Sequence, residues 1–457
     1  MIEKDGSEQM TQQEQWTSRL GFVLASAGSA IGLGAIWKFP NVVATSGGGA
    51  FFLVFIIFTF GIGLPLLLAE FMIGRNTGKE AVSAYRELAP GSKWHGVGYL
   101  GMATCSLLLS FYSVVGGWIV LYFLKGLSGS LLQNGRNYGE IFESTAANPW
   151  AAVLAQALFL LITIVIVARG VKQGIEKASR IMMPGLFILF LVLIVRSLTL
   201  PGMSEGLVYF LKPDFGQLTP QALLHALGQS FFCLSVGGSC MVTYSSYLNK
   251  GEPIGKPALS VVGLNVLTSF MAGIAIFPAS FALGMKPQEG AGLLFITLPA
   301  VFDQLPFGSL FIVLFLALFL FATLTSAFSL LEIVVAAFTR DKAEQRARMC
   351  WLLGGVIFAL GVPSALSFGV GSHLQWLGRN LFDWADFAVT NVMLPLGVLL
   401  ISLFVGFRYP RRRLQEEWDM LGSRWQKGLA VYVFMLRYLL PLIVLFVFLH
   451  GMNWLPV

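Results

Sequence analysis

Long hydrophobic runs with no Asp, Glu, Lys or Arg dominate the chain. They cover residues 20–37, 39–69, 94–124, 144–168, 181–195, 215–249, 257–285, 304–331, 349–378, 387–407 and 438–457. A helix that crosses a bilayer needs about 20 mainly apolar residues, and most of these runs are long enough. The short run 181–195 extends through Lys177 and Arg196, whose stems carry their charges toward the interface. Hydrocarbon offers peptide groups no water to bond, so α-helix is the expected spanning form. The pattern predicts an all-α integral membrane protein with eleven transmembrane helices.

Composition agrees. Apolar residues make up 56% of the 457 and charged residues only 12%, against about 25% charged in soluble domains. A soluble enzyme, a disordered chain and a disulfide scaffold are excluded. The net charge of +7 follows the membrane and not a nucleic acid. The amino-terminal segment and alternate loops hold 22 of the 30 Lys and Arg residues. By the positive-inside rule the amino terminus is cytoplasmic, and eleven crossings leave the carboxyl terminus outside. The first eighteen residues lack the apolar core of a cleavable signal. The cysteines, Cys105, Cys233, Cys240 and Cys350, have no metal-like spacing, and packing is the expected role for most. The four histidines are dispersed and no nucleophile–base motif occurs, so no enzyme is expected.

Two runs contain glycine clusters. The first reads Ala27-Gly28-Ser29-Ala30-Ile31-Gly32-Leu33-Gly34, and the sixth reads Phe232-Cys233-Leu234-Ser235-Val236-Gly237-Gly238-Ser239. Glycine costs about 1 kcal/mol relative to alanine inside a helix. Unwinding at mid-membrane is tolerated only where the backbone is buried or lines a cavity. There, freed carbonyls suit a cation and freed amides an anion. Small residues can also simply let helices pack closely. Two breaks five spans apart, in a possible five-plus-five repeat, point instead to a transporter core.

At these residues the chain resembles the neurotransmitter:sodium symporter family, in its bacterial amino-acid-transporting branch. The resemblance runs from Trp16 to about Phe407. It rests on Trp16-Thr17-Ser18-Arg19-Leu20-Gly21, Gly32-Leu33-Gly34-Ala35-Ile36-Trp37-Lys38-Phe39-Pro40, Gly47-Gly48-Gly49-Ala50-Phe51, Glu70 with Gly74-Arg75, Gly228-Gln229-Ser230-Phe231-Phe232 and Thr325-Ser326. It implies two inverted five-helix repeats (spans 1–5 and 6–10), with helices 1 and 6 broken, plus one extra helix. The chain then divides into an amino-terminal segment 1–18, repeats 19–200 and 201–407, and a cytoplasmic loop with the eleventh helix, 408–457. It also implies sodium-driven uptake by alternating access, in a multi-pass protein of the bacterial inner membrane.

The same resemblance implies a substrate between the two breaks, facing spans 3 and 8. The amides of Leu33 and Gly34 and the hydroxyl of Tyr112 would hold a carboxylate. The carbonyls of Ala30 and Phe232, with Ser235, would hold an ammonium. Amine transporters of the family carry Asp where this chain has Gly32, so Gly32 favours an α-amino acid. Leu108, Phe232, Gly238, Ser326 and Leu330 would line an uncharged side-chain pocket, where a charged substrate would go unpaired. Bulky residues are common in the family at the position of Gly238, so a glycine there favours a large apolar or aromatic L-amino acid.

Of the family's two sodium sites, the second is complete: carbonyls of Gly28, Ile31 and Ala322 with the hydroxyls of Thr325 and Ser326. The first is depleted. Ala35 stands where an Asn is usual and Cys233 where a Thr or Ser is usual, leaving Asn265 with the carbonyls of Ala30 and Cys233. Sodium prefers oxygen to sulfur. Chloride-binding members have Tyr where this chain has Phe55, and neither Asn265 nor Ser269 is acidic. One sodium, no chloride dependence and no organic cofactor are expected. Lys38 matches the family's outer gate with Asp386 or Asp383 as partner; the usual residue there is Arg, and Lys loses its bidentate fork. At the inner gate Gln13 replaces an Arg, and Asp341 stands near the expected partner. Glu70 and Glu332 are expected to steady freed backbone or inner-path charges, with a structural network as the equal alternative. Other functional readings are a proton-coupled or uncoupled exchanger and a non-transporting amino-acid sensor.

Overall fold

The computed structural model describes residues 14–132, 137–282, 292–339, 343–421, 428–452 and 454. Gln13 and Asp341 lie outside the described residues, as do Lys4, Arg136, Lys286, Arg340, Lys342, Arg424 and Lys427. The described chain is helical, and its bridges Gly48–Pro213 and Trp376–Arg379 are isolated.

Among the described residues, ten helices are long and apolar enough to cross a bilayer: Arg19–Thr45, Gly49–Thr77, His95–Leu127, Pro149–Ala168, Val171–Leu198, Gly255–Ala282, Gly308–Thr339, Arg346–Leu366, Leu381–Arg408 and Leu429–Gly451. The eleventh span lies between the fifth and sixth of these in two short pieces, Pro220–Phe232 and Cys240–Ser246. In chain order it is span 6, and the helices after it are spans 7 to 11. Counting charge-free runs misplaces some ends. Span 1 continues through Lys38 to Thr45, span 10 begins before Asp383 and Asp386, and span 11 contains Arg437. A charge ends a hydrophobic run without ending a helix when it finds a partner. Arg437 shows why: its Nε donates to the Gly406 carbonyl at 2.7 Å and its guanidinium lies 4.9 Å from the centre of the Phe407 ring.

Long helical hydrogen-bond ladders hold spans 3 and 8, which pack closely together. Span 1 packs on spans 7 and 8, and Cys240–Ser246, the piece of span 6 nearer the basic loops and here called its inner piece, packs on span 2. One continuous apolar core joins them.

The amino-terminal segment and the basic loops meet on one face. Trp16 is buried, its indole donates to the Tyr244 carbonyl at 2.8 Å, and its amide donates to the Tyr247 carbonyl at 3.2 Å. Glu14 accepts from the Val171 amide and lies 3.9 Å from Arg346. Arg346 grips the fully buried Glu332, which also accepts from the Tyr247 hydroxyl at 2.6 Å. Arg75 pairs with Glu417. On the opposite face a vestibule of about 530 Å³ reaches down to Phe232. Among the described residues the molecule is therefore closed on its basic face and open on the other.

Candidate substrate and ion site

The break in span 1 is narrower than three glycines suggest. Backbone torsions leave the helical range at Gly32 alone (φ −30°, ψ −148°), and Gly34–Lys38 then forms a wide turn. Span 6 is interrupted from Cys233 to Ser239, with positive φ at Ser235 (53°), Gly237 (95°) and Ser239 (56°). Glu70 of span 2, fully buried, steadies the second break. Its carboxylate accepts from the amides of Gly237 (2.8 Å) and Met241 (3.2 Å). A negative group at the start of the inner piece of span 6 also opposes the helix dipole there. Glu332 belongs to the closing network of the basic face.

Between the breaks lies a small cavity of about 50 Å³. Ala30, Gly32, Leu33, Gly34, Leu108, Tyr112, Phe232, Ser235, Gly238, Ser326 and Leu330 all line it. The structure thus brings together every residue the sequence assigned to the substrate. Gly32 is confined: a Cβ there would lie 2.2 Å from Ser326 Oγ and 2.9 Å from the Tyr112 hydroxyl. The Tyr112 hydroxyl is buried beside Ser326 and the Leu33 amide, but neither has the geometry to bond it. Gly34 packs on Phe232, 2.9 Å from a built Cβ to the ring. The Ser235 hydroxyl donates to the Ser29 carbonyl at 2.9 Å. The space left by Gly238 is bordered by Cys105, Leu394 and Cys240.

The sequence reading missed Cys105, Cys240, Ser29, Val236 and Leu394, which also line the cavity. A signal for Cys105 existed, because Cys105, Leu108 and Tyr112 share one helix face at spacings of three and seven. Leu394 comes from span 10, which that reading did not place at the cavity.

Beside the cavity, oxygen atoms converge. The Thr325 hydroxyl lies 3.1 Å from the Gly28 carbonyl and 3.0 Å from those of Phe321 and Ala322. The Ser326 hydroxyl lies 3.0 Å from the carbonyls of Gly28 and Ser29. Each hydroxyl has one proton, so acceptors outnumber donors, as a hard cation requires. Ile31 is buried on the adjoining turn of span 1.

The other proposed ion position looks different. Asn265 is fully buried and its Nδ2 donates to the carbonyls of Cys233 (2.6 Å) and Ala30 (3.4 Å), while its Oδ1 has no partner. The Gln229 side chain donates to the Gly34 carbonyl at 2.7 Å and to Cys233 Sγ at 3.1 Å. Ala35 and Phe55 are fully buried among apolar side chains. Amide hydrogens therefore face the carbonyls that a cation would need.

At the vestibule floor, the Lys38 ammonium lies 4.6 Å from the centre of the Phe232 ring. Phe232, Val236 and Leu394 line both vestibule and cavity. Lys38 makes no ion pair with Asp386 or Asp383 among the described residues. Asp386 instead accepts from the Thr390 hydroxyl at 2.9 Å, and Asp383 is exposed. The vestibule itself is edged by Lys38, Arg379, His225 and His450.

The chain matches the family model described as the sodium:neurotransmitter symporter family over residues 13–139 and 144–455. It is 50% identical over 437 residues to the sodium-dependent transporter YhdH of Bacillus subtilis, covering 95% of this chain and 97% of that one. It is 32% identical over 455 residues to a sodium-dependent transporter of Haemophilus influenzae, covering 96% and 98%. The crystal structure of MhsT in complex with L-phenylalanine superposes with a TM-score of 0.88 at 43% identity, covering 96% of this chain and all of that one. An eleven-span helical protein, broken at spans 1 and 6 around a cavity and an oxygen cluster, with these relatives over nearly its whole length, belongs to the sodium:neurotransmitter symporter family.

Proposed function

We propose that this protein takes up neutral L-amino acids, large apolar or aromatic ones, by alternating access across the bacterial inner membrane, driven by one sodium ion. The observation that carries this reading is the join between cavity and oxygen cluster at Gly32 and Ser326. There an unpaired tyrosine hydroxyl and unwound amides face a carboxylate position, with acceptor-rich oxygens beside it. A zwitterion needs opposite backbone groups at its two ends, and two broken helices supply both. Among the described residues the cavity lining carries no charged side chain, so a charged substrate side chain would go unpaired there. L-phenylalanine bound to MhsT supports an aromatic substrate, and the lining must move apart to admit one, because the cavity of about 50 Å³ holds only a few heavy atoms as it stands.

A single sodium, at Gly28, Ile31, Ala322, Thr325 and Ser326, follows from the two amide groups. Asn265 and Gln229 direct hydrogens at carbonyls near the first position, so a cation would have to displace or turn them. Phe55 offers no hydroxyl to an anion, and with no first cation none is needed. The basic-loop face is cytoplasmic in this reading, and the vestibule opens outward.

The test is thermal stability of the purified chain with each of the twenty amino acids, with and without sodium. A ligand that binds only the folded state raises that stability. The largest sodium-dependent rise is expected for a large apolar or aromatic amino acid. The largest rise with aspartate or lysine overturns the pocket assignment. Exchange of labelled substrate across proteoliposomes separates a carrier from a sensor, which binds without exchange.

A further inference from the structure

Two thiols on the cavity wall have no part in the transport reading. Cys105 of span 3 and Cys240, the first residue of the inner piece of span 6, both line the cavity. Both are free and buried, and their sulfurs lie 3.3 Å apart. Each is also held from a second direction. The Cys105 thiol faces the Gly238 carbonyl at 3.4 Å, and the Cys240 thiol faces the Ser329 carbonyl at 3.8 Å. Gly238 leaves the pair uncovered, since a Cβ there would sit 3.2 Å from Cys105 Sγ and 3.9 Å from Cys240 Sγ. The cavity of about 50 Å³ admits a molecule of a few heavy atoms, because one water needs about 10–15 Å³.

We propose that Cys105 and Cys240 form a dithiol site for trivalent arsenic, entering as small, uncharged arsenous acid, As(OH)₃. Two adjacent soft sulfur ligands suit a thiophilic centre, and a neutral molecule can enter this uncharged cavity without leaving a charge unpaired. Each sulfur forms one bond to arsenic and one As–OH bond breaks for each. The thiol proton and the departing hydroxide leave together as water. Two waters are released, (Cys-S)₂As–OH remains, and arsenic stays trivalent, so no oxidant or reductant is required. The bridge occupies substrate space and ties span 3 to the inner piece of span 6. That it stops transport rests on the carrier reading above; that it forms does not.

The experiment uses the full chain, with sodium arsenite as the probe and mass measurement of the intact folded protein as the readout. One arsenic per chain is expected, removed by a small dithiol and retained in excess monothiol. Cys105→Ser and Cys240→Ser are each expected to lose the adduct, and Cys350→Ser to keep it. Without any variant, saturating amino acid with sodium is expected to slow adduct formation at least tenfold. No adduct on the wild-type chain, an adduct that persists in either Cys105→Ser or Cys240→Ser, or a rate indifferent to a bound amino acid overturns the site. Adduct formation by a chain that no amino acid stabilises overturns the substrate reading and upholds the dithiol. Amino-acid binding without an adduct does the reverse.

Discussion

At the scale of single residues, the cavity is built from groups whose bonding capacity exceeds what the protein uses. The Tyr112 hydroxyl is buried and unpaired, and leaving a polar group so is costly unless a ligand completes it. Tyr112→Phe keeps the ring and removes the unpaired group. Substrate affinity is expected to fall about tenfold to a hundredfold, because a hydrogen bond to a charged group contributes roughly 1.5–3 kcal/mol, with unbound stability unchanged or slightly raised. Calorimetric titration with and without sodium checks this; unchanged affinity removes Tyr112 from the site. Gly32→Ala places a methyl against Ser326 and Tyr112. It is expected to abolish amino-acid binding while the chain still folds and enters membranes. Thr325→Val keeps the side-chain shape and deletes one ligand oxygen. The sodium-dependent part of thermal stability is expected to disappear, and its persistence would remove Thr325 from the ion site.

At the scale of elements, broken helices are stable only because other spans complete them. The Glu70 carboxylate replaces lost helical acceptors for Gly237 and Met241. Glu70→Ala strands both amides, at about 1–3 kcal/mol for each. A much shorter half-life at elevated temperature is expected, with Glu70→Gln in between because only its carbonyl end accepts. Gly237 is required by geometry as well as by φ. A Cβ there would lie 2.6 Å from the Leu394 carbonyl, in a conformation (φ 95°) that side chains resist. Gly237 thus holds span 10 against the break, which is how Leu394 reaches the cavity.

At the scale of the whole molecule, one face is sealed and the other is open to Phe232. The seal is a buried ion pair with attachments. Removing one partner of such a pair leaves an uncompensated charge, at about 3–5 kcal/mol. Arg346→Ala is therefore expected to loosen the basic face and expose Trp16 to aqueous quenchers, and unaltered Trp16 fluorescence would contradict the latch. Burial pushes the Glu14 carboxyl above its usual range, opposed by Arg346 and the Val171 amide. A raised pKa favours the closed face below the ordinary glutamate range, and that contribution is lost as pH rises through the raised value. Trp16 accessibility is expected to increase with pH across that window, and Glu14→Gln to flatten the dependence. Uptake against sodium concentration is expected to give a Hill coefficient of about one, since the coefficient is bounded by the number of coupled sites; a value of about two defeats the single-ion proposal.

Hydrophobic runs, basic-loop alternation and two glycine clusters made the spanning helices, their order and the position of the breaks legible in the sequence alone. These are local properties: a bilayer imposes length and apolarity on each helix separately, and glycine weakens a helix wherever it stands. Alignment by resemblance also placed eleven residues that do line one cavity. Helix ends were less legible, because Lys38 and Arg437 are charges whose partners lie on other spans, while Asp386 is partnered within its own helix by Thr390. Only the tertiary structure decided that span 1 breaks at Gly32 alone and that Lys38 rests on Phe232. The same holds for Asn265 turning its amide toward the carbonyls of Ala30 and Cys233, and for Cys105 meeting Cys240 across 135 positions of chain. Such contacts join residues on different spans, and their distances depend on how rigid helices pack, which no periodicity within one helix encodes.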